Sequence, residues 1–183
     1  MNKNVKYISI VLAVGILLYI GISELLGVPI LGGAPPIALR MPEKTGKEGA
    51  KIPQISLLTY DSTLFNINDL QKEKPLVLFY FSAECAYCQA ELEAILRKKE
   101  ILNKIQLCLL TSESFHDMKM FYDRNHLNEY TNIKIGVDYN NKFISYFNVT
   151  GTPYVAIYGR DKLLKGAFSG ILSTQQIKMV ASE

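Results

Sequence analysis

At 183 residues the chain is long enough for one domain and an appendage. Its formal net charge is +3, yet residues 1–52 hold six Lys/Arg against three Asp/Glu, while residues 53–183 hold fourteen of each. The excess thus lies wholly in the N-terminal stretch, and a neutral folded part excludes a nucleic-acid binder, which needs a basic surface there.

After a short N-terminus (1–6), residues 7–26, YISIVLAVGILLYIGISELL, are apolar apart from Ser9, Ser23 and Glu24. Twenty helical residues span about 30 Å, the hydrocarbon thickness of a bilayer. Lys3 and Lys6 precede the run, so the positive-inside rule keeps the N-terminus cytoplasmic and sends the rest across. A cleaved signal peptide is the competing reading, but its apolar region is shorter and ends in an A-x-A-like site, which this run lacks. The expectation is a single-pass anchor in the cytoplasmic membrane, with the remaining chain on the extracytoplasmic, periplasmic side. Residues 27–52 are rich in Gly, Pro and Lys without sustained periodicity and read as a flexible linker, reaching about 28 Å on average. The folded domain is expected over 53–183.

Within it, QISLLTY and LFNI read as two short strands around DST, with Asn68 capping a helical turn over DLQKEK. PLVLFYF (75–81) is a continuous apolar run, as in a strand buried on both faces. A helix follows over 86–102, with Leu92, Ile95, Leu96 and Lys99 at helical spacing. KIQLCLLTSE (104–113) is a second buried strand, 114–127 an amphipathic helix, 132–138 a strand and 139–149 a short helix. PYVAIYG and KLLKGAFSG form a hairpin around Arg160-Asp161, and Ser173 with Gln176 is a capping box opening a final helix. Helices alternating with buried strands place the domain in the α/β class, with a mixed sheet.

The chemistry concentrates in SAECAYCQAELEAI (82–95). Cys85 and Cys88 are three positions apart at a helix start, where Cβ atoms at i and i+3 lie about 5–6 Å apart and a disulfide closes across one turn. The unpaired N–H groups and positive dipole end there favour an anion, which makes Cys85 the thiolate nucleophile and Cys88, one turn inward, the resolving thiol. A structural bridge over so short a loop constrains the unfolded chain little. A zinc site needs a second ligand pair, and Cys108, His116 and His126 offer no such spacing. Cys108, inside an apolar strand, reads as core.

A buried strand running into C-x-x-C, followed much later by GTPYVAIY and a hairpin, resembles the thioredoxin-like superfamily over residues 53–183. The upstream β-hairpin extension and the added α/β insert resemble its TlpA/ResA-like branch of membrane-tethered or periplasmic thiol–disulfide oxidoreductases, within the wider redoxin and AhpC/TSA-related group. Cys85-Ala86-Tyr87-Cys88, Glu91 and Thr152-Pro153 carry the match. The resemblance implies a proton-exchanging role for Glu91. It also implies a cis Thr152-Pro153 bond that brings the Thr152 backbone beside Cys85, with Glu84 and Tyr87 completing a substrate ledge. No metal or organic cofactor is implied, the dithiol being the redox group. Expected partners are protein thiol or disulfide substrates, such as apocytochromes c during cytochrome c maturation, and a transmembrane dithiol electron donor.

Departures from thioredoxin itself are Glu84 in place of a Trp before the first cysteine, Phe79 in place of a buried acid, and the Ala-Tyr pair. Two rival functions share the fold. A peroxiredoxin-type peroxidase echoes Ser82-x-x-Cys85, but carries a proline where Leu78 stands. A membrane-tethered copper carrier spaces its cysteines C-x-x-x-C-P and adds a histidine, whereas His116 and His126 fall about 80° from a shared helical face.

Overall fold

The computed structural model describes residues 39–70 and 73–183. The anchor expected at 7–26 and the first part of the linker lie outside them. Within the described residues no helix is long and apolar enough to cross a membrane.

Seven strands form one sheet: β1 (Ser56–Thr59), β2 (Leu64–Asn66), β3 (Leu76–Tyr80), β4 (Gln106–Thr111), β5 (Ile133–Val137), β6 (Tyr154–Tyr158) and β7 (Leu164–Ser169). Their spatial order is β2-β1-β5-β4-β3-β6-β7. β3, β4 and β5 run parallel, joined through helices, while β1, β2, β6 and β7 pair antiparallel with their neighbours. The sheet is therefore mixed, as its apolar runs and hairpins imply. The inserted helix and β5 place a parallel strand between β4 and the N-terminal hairpin.

Side-chain alternation divides the core into two layers. Val77, Phe79 and Phe81 from the β3 run face one side, with helices α1 (Ala86–Arg97), α3 (Phe115–Arg124) and α5 (Thr174–Ala181) supplying Leu92, Met118 and Ile177 among their partners. Leu76, Leu78 and Tyr80 face the other, where α4 (Lys142–Phe147) contributes Phe143 and Phe147. Burial on both faces is why β3 and β4 read as unbroken apolar runs. Cys108 belongs to the second layer and the Cys85–Cys88 pair to the first, so the sheet separates them.

Several boundaries differ from the sequence expectation. The helix expected over 86–102 breaks at Lys98, whose φ −99° and ψ 67° are not helical, and resumes as α2 (Lys99–Leu102). The helical turn near DLQKEK is a 3-10 turn over Ile67–Asp69, capped by Asn66 rather than Asn68. At α5, Ser173 Oγ accepts the Gln176 N–H at 3.2 Å, but the Gln176 side chain does not reach back to complete a capping box. It binds the Arg40 backbone on both sides instead, accepting its N–H and donating to its carbonyl.

That contact corrects the linker boundary. The compact unit begins at Leu39, and residues 39–52, expected as tether, lie along the outer edge of β7. Glu43 N–H donates to Ala167 O at 2.8 Å, Gly49 N–H to Leu164 O at 3.0 Å and Leu164 N–H to Ala50 O at 2.9 Å. The strap satisfies an edge that would otherwise present unpaired backbone groups.

Candidate active site

β3 delivers the chain to Ser82, and two charged side chains hold the next residue by both backbone groups. Glu113 Oε2 accepts the Ala83 N–H at 2.7 Å, and Arg124 Nη1 donates to Ala83 O at 3.1 Å. One turn into α1, Gln89 and Asn125 exchange amide hydrogen bonds of 2.6 and 3.2 Å, tying α1 to the end of α3. The cysteine turn is thus fixed at both ends.

Cys85 is the N-cap of α1, and its Sγ accepts the Cys88 N–H at 3.2 Å. This supplies the helix-start stabilisation expected for an anion. Burial works against ionisation of Cys85, but hydrogen bonds involving Cys88, Thr152 and the Tyr87 N–H outweigh it and hold the thiol below its usual range. Cys88 has no solvent exposure, and burial, reinforced by the neighbouring Cys85 sulfur, pushes its thiol up to about 12. Cys108 is also driven up to about 12 by burial, on the far face of the sheet. The three cysteines therefore separate into one reachable, acidic thiol and two buried, weakly acidic ones.

Thr152-Pro153 is cis, and Cys85 Sγ lies 3.8 Å from Thr152 O, so the structure places that pair beside Cys85. Pro153 O in turn accepts the Gly170 N–H at 2.8 Å, which links it to the turn after β7. Tyr87, between the cysteines, is 67% exposed. Glu84 is exposed and pairs with Arg124 Nη2 at 3.3 Å, a surface ion pair of the kind contributing about 0–1 kcal/mol.

Glu91 is not the exposed helix carboxylate that its place in α1 allows. It is 2% exposed; its Oε1 accepts the Leu172 N–H at 3.0 Å, and its Oε2 has no hydrogen-bond partner. Burial raises the carboxyl to about 8, against the opposing pull of Leu172 and Arg40. A carboxyl of that strength is still mainly protonated at neutral pH and titrates just above it, so it can both hold and take up a proton there, as general acid–base exchange requires.

His116 and His126 are both exposed; α3 ends at Arg124, and His126 follows in a left-handed turn. Among the described residues no group of three or more His, Cys, Asp or Glu side chains is arranged to hold a metal. Sequence reasoning misses Glu113, Arg124, Gln89, Asn125 and Arg40. Each looks like an ordinary surface residue, and the one available signal, Gln176 after Ser173, points to a capping box instead.

No curated protein matches the chain. Among solved structures, a secreted disulfide oxidoreductase of Mycobacterium tuberculosis homologous to E. coli DsbE aligns at TM-score 0.57 and 18% identity, over 70% of this chain and 95% of that one. StoA from Bacillus subtilis aligns at 0.54 and 13%, over 71% and 98%. Peroxidoxin BcpB from Mycobacterium tuberculosis aligns at 0.62 and 13%, over 74% and 96%. At these identities the likeness is one of fold, the mixed α/β thioredoxin-like architecture. The family description for redoxin, by contrast, matches residues 47–178, a span that takes in the end of the strap, the cysteine turn, Glu91 and the Thr152-Pro153 segment, and the chain belongs to the redoxin family.

Proposed function

We propose that the protein is a membrane-anchored, extracytoplasmic thiol–disulfide oxidoreductase that reduces disulfides of exported proteins. The observation that carries this reading is the asymmetry of the pair: Cys85 is reachable with a lowered pKa, while Cys88 is buried with a pKa of about 12. In the forward step the Cys85 thiolate attacks a client sulfur, forming a mixed disulfide and expelling a client thiolate that takes up a proton. Cys88 then gives its proton to the Glu91 carboxylate and attacks Cys85. The client leaves with two electrons gained, and the Cys85–Cys88 disulfide remains. A membrane dithiol carrier would restore the dithiol, becoming a disulfide itself, and no further redox group is invoked. Thr152, Pro153, Tyr87 and Glu84 form the ledge on which an extended client segment would lie, by strand-like pairing of the kind seen in other peptide-binding sites. Apocytochromes c are the client class that the family resemblance favours.

The test is Cys88→Ala in the full chain. It should accumulate mixed disulfides through Cys85, which Cys85→Ala does not form. No such adduct, with the protein folded and reduced, would contradict the reading. A reduction potential of Cys85–Cys88 near about −270 mV fits a reductant, and one near about −120 mV an oxidant. Leu78 lies buried in β3 where a peroxidase of this group carries a proline. Consumption of hydrogen peroxide far faster than by free cysteine would favour the peroxidase instead.

A further inference from the structure

Glu91 is reached from outside α1 by one turn, residues 169–173, and that turn is clamped by the strap. Arg40 Nε donates to Ile171 O at 2.7 Å and Nη1 to Ser169 O at 3.0 Å. The guanidinium lies directly over Gly170, where a Cβ would meet Arg40 Cζ at 3.1 Å; with φ at 77°, the position admits glycine on both counts. Arg40 is itself fixed, because the buried Gln176 side chain holds its N–H and its carbonyl. The clamped turn then makes two contacts with the dithiol site, Gly170 N–H to Pro153 O and Leu172 N–H to Glu91 Oε1.

We propose that Arg40 is a positioning residue of the thiol–disulfide site: it holds the turn after β7 against both Pro153 and Glu91, keeping the Leu172 N–H on the Glu91 carboxyl. The guanidinium also contributes a positive charge that works against the upward shift of that carboxyl. Among the described residues, Arg40 is the charged side chain that acts on Glu91. On α1, the ionisable neighbour one turn back is Cys88, neutral below about 12. Residues 169–173, Ser-Gly-Ile-Leu-Ser, carry no ionisable side chain. From α5 the buried Gln176 is neutral, and Lys178 is exposed. The strap's own acid, Glu43, lies beside Tyr154. β3 and β6 add apolar residues to this layer, Phe79 and Val155 among them.

This inference rests on the proposed role of Glu91, but its test does not. The titration midpoint of the Glu91 side-chain carboxyl, read by carbon-13 NMR on the reduced full chain, belongs to that carboxyl whether or not the protein reduces disulfides. In the wild type it should lie near about 8. Arg40→Gln should move it upward, leaving less than half of Glu91 ionised at pH 8, and Arg40→Lys should keep it closer to the wild-type midpoint. The two variants titrating alike, whether both at the wild-type midpoint or both displaced, would overturn the proposal. Should Arg40→Gln not fold, salt decides the matter. Arg40 is exposed, so screening in 1 M salt should raise the wild-type midpoint, and an unmoved midpoint would overturn the proposal.

Discussion

Replacing Glu91 with Gln offers a stability measurement whose size follows from burial. An ordinary carboxyl titrates near 4.5, and the buried Glu91 near about 8. Between those values the unfolded chain has released the proton while the folded chain still holds it. The folded-state pKa is the raised one, so the contribution is fully present below about pH 4.5 and is lost as pH rises through about 8. Within that window each pH unit removes about 1.4 kcal/mol of stability, or about 5 kcal/mol across it. The substituted amide does not ionise and keeps an oxygen for the Leu172 N–H. The effect of its nitrogen, standing where Oε2 has no partner, does not vary with pH. Urea unfolding of the reduced protein at pH 5, 6, 7 and 8 should therefore show Glu91→Gln gaining steadily on the wild type. Parallel curves for the two proteins would mean that Glu91 ionises as readily folded as unfolded, and the burial argument would be wrong.

Two further substitutions test how the fold and the cysteine turn are held. A Cβ at Gly136 would stand 2.7 Å from Leu57 Cβ and 2.8 Å from Leu58 O, so Gly136→Ala must push β1 off β5. Overpacking of this kind should lower stability by about 1–3 kcal/mol in urea unfolding, and an unchanged midpoint would show that the hairpin yields freely. Asn125→Ala leaves the Gln89 amide without its reciprocal partner and should remove about 1–3 kcal/mol. A loss within about 0.5 kcal/mol would mean that water replaces the pair and α3 does not anchor α1.

The legible parts of this molecule are those in which a short local pattern determines the physics. The β3 and β4 runs are apolar because both faces of the sheet are covered, and the alternation with helices follows from that. The cysteine turn is legible because i, i+3 spacing at a helix start is a local geometry, and the structure shows the Cys88 N–H donating to Cys85 as that geometry requires. What could not be read depends on contacts across the fold. Glu91 shares its place on α1 with any solvent-facing carboxylate; only the turn 81 residues later shows it to be enclosed. Residues 39–52 have the composition of a tether because an edge strap needs little apolar surface of its own: its affinity comes from backbone pairing with β7 and from Arg40 over Gly170. Gln176 matched a local capping pattern, yet its partner stands 136 residues away. The break at Lys98 and the 3-10 turn at Ile67 are small boundary effects in which local backbone geometry overrode helical periodicity.

Division of the pair into an accessible acidic thiol and a buried resolving one underlies every step proposed above, and alkylating the reduced protein across pH, with each cysteine followed by mass spectrometry, probes it without intermediaries. Cys85 should be modified with a midpoint below that of an ordinary thiol, while Cys88 and Cys108 stay unmodified through neutral pH. Equal labelling of Cys85 and Cys88, or a Cys85 midpoint at or above the ordinary value, would contradict it.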